Sequence, residues 1–229
     1  MRRVIWATAL VVLAAGCTGR PSGSATPSVP PSTAPVGVPA GTPASYGRDV
    51  DASRVPPDAL VPSGATVTDV WYPTAGPSIL VAYARPSNDP LHQERGLVVW
   101  RRSAGSTDPW RPVFGFRDPA ARGVIQIRAT IGDATGDGSA DALTFEDAGG
   151  SGVCGTWRLI DLAADASVFE RKTCDTTIDL STDPIGLVIR AAVYAAGDAH
   201  CCPSSTKISV LRYDGSSGWT TVSATEEPT

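Results

Sequence analysis

Short apolar stretches, rich in β-branched side chains, recur along the chain from about residue 60 onward. Turn-forming clusters such as Thr74-Ala75-Gly76-Pro77 and Tyr213-Asp214-Gly215 separate these stretches. No window carries a helical period over a dozen residues, whereas short runs between turn signals are typical of strands. The pattern therefore predicts ten strands, at residues 66–72, 78–85, 96–101, 124–131, 140–145, 153–160, 167–171, 187–194, 207–213 and 219–222.

The predicted fold is all-β, with residues 59–229 forming one domain. Residues 67–84, 127–145 and 189–211 each contain a strand, a specialised loop and a second strand, at intervals of about 60 residues. Three units are too few to close a propeller, for which four blades are the minimum. We therefore expect an open array of blade-like repeats or a twisted β-sandwich. In a repeat array, the three loops would share one rim.

The N-terminal segment has the charge and hydropathy of a targeting signal. Arg2 and Arg3 precede an apolar run, residues 4–14, that is too short for a stable membrane span. The run leads into Leu13-Ala14-Ala15-Gly16-Cys17, which resembles a bacterial lipobox. The resemblance implies cleavage before Cys17 and transfer of a diacylglyceryl group to it. We therefore expect an extracytoplasmic protein, anchored by lipid to the outer face of the cell membrane.

A lipoprotein signal peptide is thus expected at residues 1–16, and the composition changes after it. Residues 17–58 are dense in Pro, Ser, Thr, Ala and Gly and contain almost no large apolar side chain. Such a segment cannot bury enough apolar surface to offset the entropy of ordering its backbone. We expect the lipidated Cys17 to be followed by a disordered tether, which in extended Pro-rich form spans about 3.1 Å per residue.

An acidic, glycine-containing loop at residues 133–141, named the Asp loop below, precedes the predicted strand at residues 140–145. Asp133, Asp137 and Asp141 occupy its positions one, five and nine, and Thr135 occupies position three. Oxygen ligands at alternating positions, with Gly138 where the chain must turn, suit a hard cation such as calcium. The alternative is a plain turn in which the aspartates accept hydrogen bonds from backbone N–H groups.

The Asp loop resembles the calcium loops of FG-GAP/VCBS-type β-repeats, whose pattern is D-x-[DN]-x-D-G-x-x-D. Two departures are Thr135, a hydroxyl in place of an acidic or amide ligand, and Thr144 in place of a glutamate at position twelve. These departures predict weak binding, with a Kd of about 10⁻⁴ to 10⁻³ M. The ligands implied by the resemblance are the side chains of Asp133, Thr135, Asp137 and Asp141 and the carbonyl of Ser139.

Four cysteines lie beyond Cys17, and an even set in an exported protein predicts disulfides rather than a metal cluster. A hairpin centred at residue 164 would place Cys154 directly opposite Cys174. That pairing leaves Cys201 and Cys202 as a vicinal pair, whereas the other two connectivities join each of them to Cys154 or Cys174. The sequence does not choose among the three connectivities.

The adjacent cysteines lie within Asp198-Ala199-His200-Cys201-Cys202-Pro203-Ser204, and the next predicted strand ends in Arg212-Tyr213-Asp214-Gly215. These two segments resemble the Cys-Cys-Pro-Ser loop and the R-[WY]-[DN]-G turn of the LppP/LprE-type lipoproteins. Cys154 matches an earlier single cysteine of the family, whereas Cys174 has no counterpart there. The resemblance implies an anchored actinobacterial envelope protein with no established chemistry.

Charge and histidine content narrow the function classes. The net charge is −4 without a basic cluster, so no nucleic-acid partner is expected. Of the two histidines, His92 lies in a polar loop and His200 lies beside the adjacent cysteines. We expect a non-catalytic envelope module that binds a protein or glycan partner through its loops. The alternatives are an envelope hydrolase that uses His200 with a nearby Ser or Asp, and a purely structural envelope protein.

Overall fold

The structure, a computed structural model, describes residues 60–73, 77–89, 92–102, 110–150 and 152–229. The expected signal peptide, Cys17 and the tether lie outside these residues. The described chain is all-β, which confirms the predicted class, and its twelve strands form three antiparallel sheets. Its short 3₁₀ helices are Ala120–Arg122 and Gly215–Ser217, and none of its helices is long and apolar enough to cross a membrane.

Each sheet is a meander of four strands in which consecutive strands pair. The first sheet contains β1 (Thr66–Trp71), β2 (Ser78–Arg85), β3 (Glu94–Arg101) and β4 (Arg111–Asp118). The second contains β5 (Gln126–Gly132), β6 (Asp141–Asp147), β7 (Gly155–Asp161) and β8 (Ala166–Thr173). The third contains β9 (Thr176–Thr182), β10 (Ile185–Val193), β11 (Ser205–Tyr213) and β12 (Trp219–Pro228). Three successive meanders correspond to the open blade-like array rather than to a two-sheet sandwich.

The first two sheets share an apolar core, which explains why β2 and β3 read as continuous apolar runs. On one face of the first sheet, Leu80, Leu97 and Phe114 pack against Ile127 and Ile160 of the second sheet. The opposite face is also covered, by a cluster that contains Leu60, Val61, Val81, Tyr83, Trp100 and Trp110. Because both faces are buried, the strands lack the alternation of a half-exposed sheet.

The second sheet lies between the other two, and the third sheet is packed on one face only. On the far side of the second sheet, Leu143 and Leu159 pack against Ile178, Leu187 and Ile189 of the third. In β12, the last strand of the third sheet, every residue after Trp219 is exposed. The three sheets therefore pack in series, and burial decreases toward β12.

Two strands were not predicted from the sequence. The β4 strand begins with Arg111-Pro112 and has Gly115 in its interior, and both Pro and Gly count against a strand. The β9 strand alternates Ile178 and Leu180 with Thr, Asp and Ser, and so contains no apolar run. Pairing with β3 and with β10, respectively, holds these segments extended despite their weak local preference.

The repeat prediction is correct for the first two units and wrong for the third. The β1–β2 and β5–β6 connections lie at one end of the molecule, named the loop end, where Ser78 and Ser139 line one cavity. The third predicted unit, residues 189–211, spans β10 and β11, whereas the hairpin of the third sheet that corresponds to β1–β2 and β5–β6 is β9–β10. Its loop lies at the opposite end, named the cysteine end, because successive antiparallel connections alternate between ends.

Candidate functional site

The carboxylates of the Asp loop bind the backbone of their own loop. Asp133 accepts hydrogen bonds from the N–H groups of Gly136 (2.6 Å) and Gly138 (3.0 Å), and Asp137 accepts one from Ser139 (2.7 Å). Gly136 and Gly138 both have positive φ, at 77° and 83°, which lets the chain wrap around these carboxylates. In this structure the loop is therefore a turn whose own aspartates accept hydrogen bonds from its backbone N–H groups.

Asp141 differs from the other two aspartates because it is fully buried. Its Oδ2 accepts hydrogen bonds from the N–H groups of Ala134 and Thr135, both at 2.8 Å. Its Oδ1 and the Thr135 hydroxyl are also buried; the Thr135 side chain interacts with the Asp141 carboxyl, and neither oxygen has a further hydrogen-bond partner among the described residues. Burial raises the pKa of Asp141 to about 6 against the opposing effect of these hydrogen bonds, and the charge of Asp161 raises it further.

The loop fits a cation in part. Two buried oxygens, Thr135 Oγ1 and Asp141 Oδ1, belong to the predicted ligand set, and among the described residues they have no hydrogen-bond partner outside this pair of side chains. A cation would satisfy both oxygens. Asp133 and Asp137, however, are committed to backbone N–H groups, and no group of three or more metal-binding side chains is assembled within the described residues. Calcium binding therefore stays a prediction, in which Asp133 and Asp137 must share their oxygens between the backbone and the cation.

A melting experiment tests calcium binding. At free calcium about ten times the Kd, mass action should stabilise the wild type by about 1.4 kcal/mol. For a domain of this size, that raises the Tm by roughly 3–5 °C in millimolar calcium relative to chelator. Asp137→Ala should abolish the difference, whereas Asp214→Ala, in the exposed β11–β12 turn, should retain it. Equal wild-type Tm values in the two conditions would mean that the loop is only a turn.

A cavity at the loop end lies between the first and second sheets, beside the Asp loop. Its volume is about 250 Å³, and its lining residues are Pro77, Ser78, Arg101, Ser139, Ala140, Leu162 and Ala163. Arg101 forms a two-point ion pair with Asp165 (2.6 and 2.9 Å), which fixes one wall. This cavity was not predicted from the sequence, because its walls come from four segments that are distant along the chain.

A buried charge cluster, also absent from the sequence predictions, lies between the same two sheets. Arg158 donates to Glu146 (3.1 Å) and to Glu170 (2.6 Å), and its guanidinium lies 4.7 Å from the centre of the Phe116 ring. Burial raises the pKa of Glu146 to about 8; Arg158 lowers it, and the nearby carboxyl of Asp118 raises it. Glu146 and Asp118 are each only 1 % exposed, whereas Glu170, at the edge of the cluster, is half exposed.

The prediction that Cys154 and Cys174 lie opposite each other is confirmed. Gly155 pairs with Thr173 in the β7–β8 hairpin, and the two cysteines just beyond form a disulfide. The bridge joins the start of β7 to the segment that leads into β9. It therefore closes the open end of the β7–β8 hairpin of the second sheet, at the cysteine end.

The second pair of cysteines lies close to this bridge. Cys201 and Cys202 are thiols, both exposed, with their Sγ atoms 2.8 Å apart. His200 Nδ1 lies 3.5 Å from Asp175 Oδ2, and the His200 ring packs edge-on against Tyr194. The nearby hydroxyl of Ser204 donates to Asp198 (2.6 Å) and not to the imidazole. Whether Cys201 and Cys202 become disulfide-bonded, as the sequence predicts, stays open to test.

His92, the other histidine, lies on the β2–β3 connection, where its Nδ1 is 2.6 Å from Asp89 Oδ2 on an exposed surface. His92 therefore belongs to the first sheet, whereas the Asp loop connects strands of the second sheet and His200 lies in the β10–β11 loop of the third.

Comparison with protein-family models, with curated proteins and with solved structures finds no match to this chain.

Proposed function

We propose that this chain is a lipid-anchored, extracytoplasmic β protein that binds a protein or glycan partner at its loop end without catalysing a reaction. The observation that carries the proposal is the cavity of about 250 Å³ between the first two sheets. It combines the hydroxyls of Ser78 and Ser139 with apolar walls from Leu162 and Ala163. Such a mixed lining suits a sugar ring or a short polar peptide segment.

The rigidity of the cavity walls supports this site. Ser78 begins β2, and Leu162 and Ala163 follow directly after β7, so strands of two sheets position the lining. Asp161 accepts hydrogen bonds from the N–H groups of Ala163 and Ala164 (both 2.8 Å), which holds the β7–β8 turn. A site held on regular elements needs little ordering when a ligand binds.

Filling the cavity tests the binding proposal. Ala163 is exposed and lines the cavity, so Ala163→Trp should fill it without disturbing the core. We expect at least about tenfold weaker binding to purified cell-wall polysaccharide or to a photo-crosslinked envelope protein, a loss of about 1.4 kcal/mol. Thr225→Trp, on the exposed face of β12, should bind like the wild type. Equal binding by all three proteins would exclude the cavity as the partner site.

Lipidation is tested separately. Cys17→Ala should abolish acylation, because the sulfur is the acceptor, and should leave an unprocessed precursor or a secreted form. Detergent phase separation measures the result: the wild type should enter the detergent phase through its acyl chains. The Cys17→Ala protein should lose both its acyl label and its entry into the detergent phase. A Cys17→Ala protein that partitions like the wild type would contradict the lipobox assignment.

The hydrolase alternative retains one supporting contact, the 3.5 Å approach of His200 to Asp175. A histidine beside a carboxylate can act as a base, but it also needs a nucleophile within reach. Hydrolysis of envelope ester or peptide substrates that is lost in His200→Ala would support this alternative. If neither binding nor hydrolysis is found, a purely structural role remains.

A further inference from the structure

The sulfur atoms of Cys201 and Cys202 approach each other far more closely than independent surface thiols do. Their separation of 2.8 Å is within about 1 Å of the disulfide bond length of about 2.05 Å. Both side chains are exposed, so dissolved reactants can reach them. We propose that Cys201 and Cys202 form a reversible two-electron redox pair, which closes to a vicinal disulfide by exchange with small disulfides such as glutathione disulfide.

The loop that carries the pair is held by a single carboxylate. Asp198 Oδ2 accepts hydrogen bonds from the N–H of Ala195 (2.6 Å) and, beyond the cysteines, from the N–H (3.0 Å) and hydroxyl (2.6 Å) of Ser204. These bonds close the loop at both of its ends. They restrict the conformations open to the cysteines between them, which lowers the entropic cost of bringing the two sulfurs together.

Two further hydrogen bonds fix the backbone at the cysteines themselves. The Cys202 N–H donates to the Ala199 carbonyl (2.9 Å), which closes a turn that contains Cys201. The Tyr194 hydroxyl donates to the His200 carbonyl (2.8 Å) and so ties the turn to the end of β10. The turn is thus formed before any sulfur–sulfur bond, and ring closure does not require the loop to unfold.

The two thiols have different roles in the exchange. The hydrogen bond with Cys201 raises the pKa of Cys202, and the nearby negative charge of Asp198 adds to this effect. The attacking species in thiol–disulfide exchange is the thiolate, and the raised pKa disfavours the thiolate of Cys202, so we assign the first attack to Cys201 and the closing step to Cys202. Cys201 attacks one sulfur of the external disulfide, forms a mixed disulfide with it and releases the other half as a thiolate.

Closure of the ring completes the reaction. Cys202, once deprotonated, attacks Cys201 Sγ, the sulfur–sulfur bond of the mixed disulfide breaks, and the second half of the oxidant leaves as a thiolate. The two protons lost by the cysteines are taken up by the two released thiolates. Two electrons pass from the cysteine pair to the external disulfide, and an excess of thiol drives the same steps backward.

Trypsin digestion separates this pair from every other cysteine, since residues 191–207 lie between Arg190 and Lys207 and contain only Cys201 and Cys202. The full-length protein is equilibrated in graded glutathione and glutathione disulfide, quenched with acid and alkylated. The 191–207 peptide should pass from a doubly alkylated form to an unalkylated form that is two hydrogens lighter and carries no glutathione. The equilibrium constant should exceed that of the synthetic peptide 191–207 by at least about tenfold.

Variants distinguish the effect of the loop on the equilibrium constant from the general chemistry of thiols. Asp198→Ala should reduce the constant toward that of the free peptide, whereas Asp214→Ala should leave it unchanged. Cys202→Ser should stop at a mixed disulfide between Cys201 and glutathione. Equal constants for protein and peptide, stable double glutathione adducts in the wild type, or bonds from Cys201 or Cys202 to Cys154 or Cys174 would each overturn the proposal.

Discussion

Replacement of Arg158 by Met should lower the free energy of unfolding by about 3 kcal/mol, because it removes the donor that Glu146 has in the buried junction of the first two sheets. Breaking a buried ion pair costs about 3–5 kcal/mol when a charge is left behind. We expect the lower end because the pKa of Glu146, already raised by burial, should rise further and let the carboxyl take up a proton. Denaturant unfolding at fixed pH measures the change.

Two further variants test whether the loss of stability is specific to the buried Arg158 cluster. Arg190→Met breaks the Arg190–Asp179 pair on an exposed surface, and should cost at most about 1 kcal/mol. The double variant Arg158→Met with Glu146→Gln should be more stable than the sum of the single effects, since the unpaired carboxyl is gone. Equal losses for Arg158→Met and Arg190→Met would show that the buried cluster has no special energetic role.

Replacement of Gly186 by Ala should also destabilise the protein strongly, by about 3 kcal/mol. Gly186 lies near the start of β10 with φ at 152°, and an added Cβ would overlap the carbonyl oxygen of Leu211 on β11. Backbone on a paired strand cannot move aside as a flexible side chain can, so the third sheet must distort. Thermal unfolding should show a Tm lower by roughly 6–12 °C.

Gly123→Ala is the matched control for Gly186→Ala. Gly123 also has positive φ, at 65°, but a Cβ there would meet nothing within 4 Å. The free energy of unfolding of Gly123→Ala should fall by only about 1 kcal/mol, the cost of Ala in the left-handed region. If both variants lose the same stability, the cost at Gly186 comes from φ alone and not from the contact with Leu211.

Local pattern was sufficient to predict the class of the fold and most of its strands. Ten strands followed from apolar runs, and the opposed positions of Cys154 and Cys174 followed from counting outward from a turn. The β4 and β9 strands were missed because Pro112, Gly115 and the polar residues of β9 do not favour a strand locally. Pairing with neighbouring strands holds both segments extended. The third repeat was misplaced because its loop, at residues 194–204, resembles a specialised loop more than the short β9–β10 turn does.

The candidate sites also differ in whether the local sequence predicts them. The Asp loop could be recognised from the sequence because its predicted ligands and turn residues lie within nine positions of each other, and its hydrogen bonds are also local. The cavity and the Glu146–Arg158 cluster were not visible, because each depends on how the first sheet packs against the second. Ser78 and Ser139, or Asp118 and Glu146, are ordinary polar residues in sequence and become neighbours only through that packing.

The serial packing of the sheets has a consequence for how the domain opens. Because every strand pair of the three described sheets joins consecutive strands, each sheet is a local unit. Stability therefore passes from one unit to the next mainly across the shared apolar faces. The second sheet has such a face on both sides, whereas the third has one. The third sheet should therefore unfold as a separate unit at lower free energy, and its amide hydrogens should exchange with solvent sooner than those of β6 and β7.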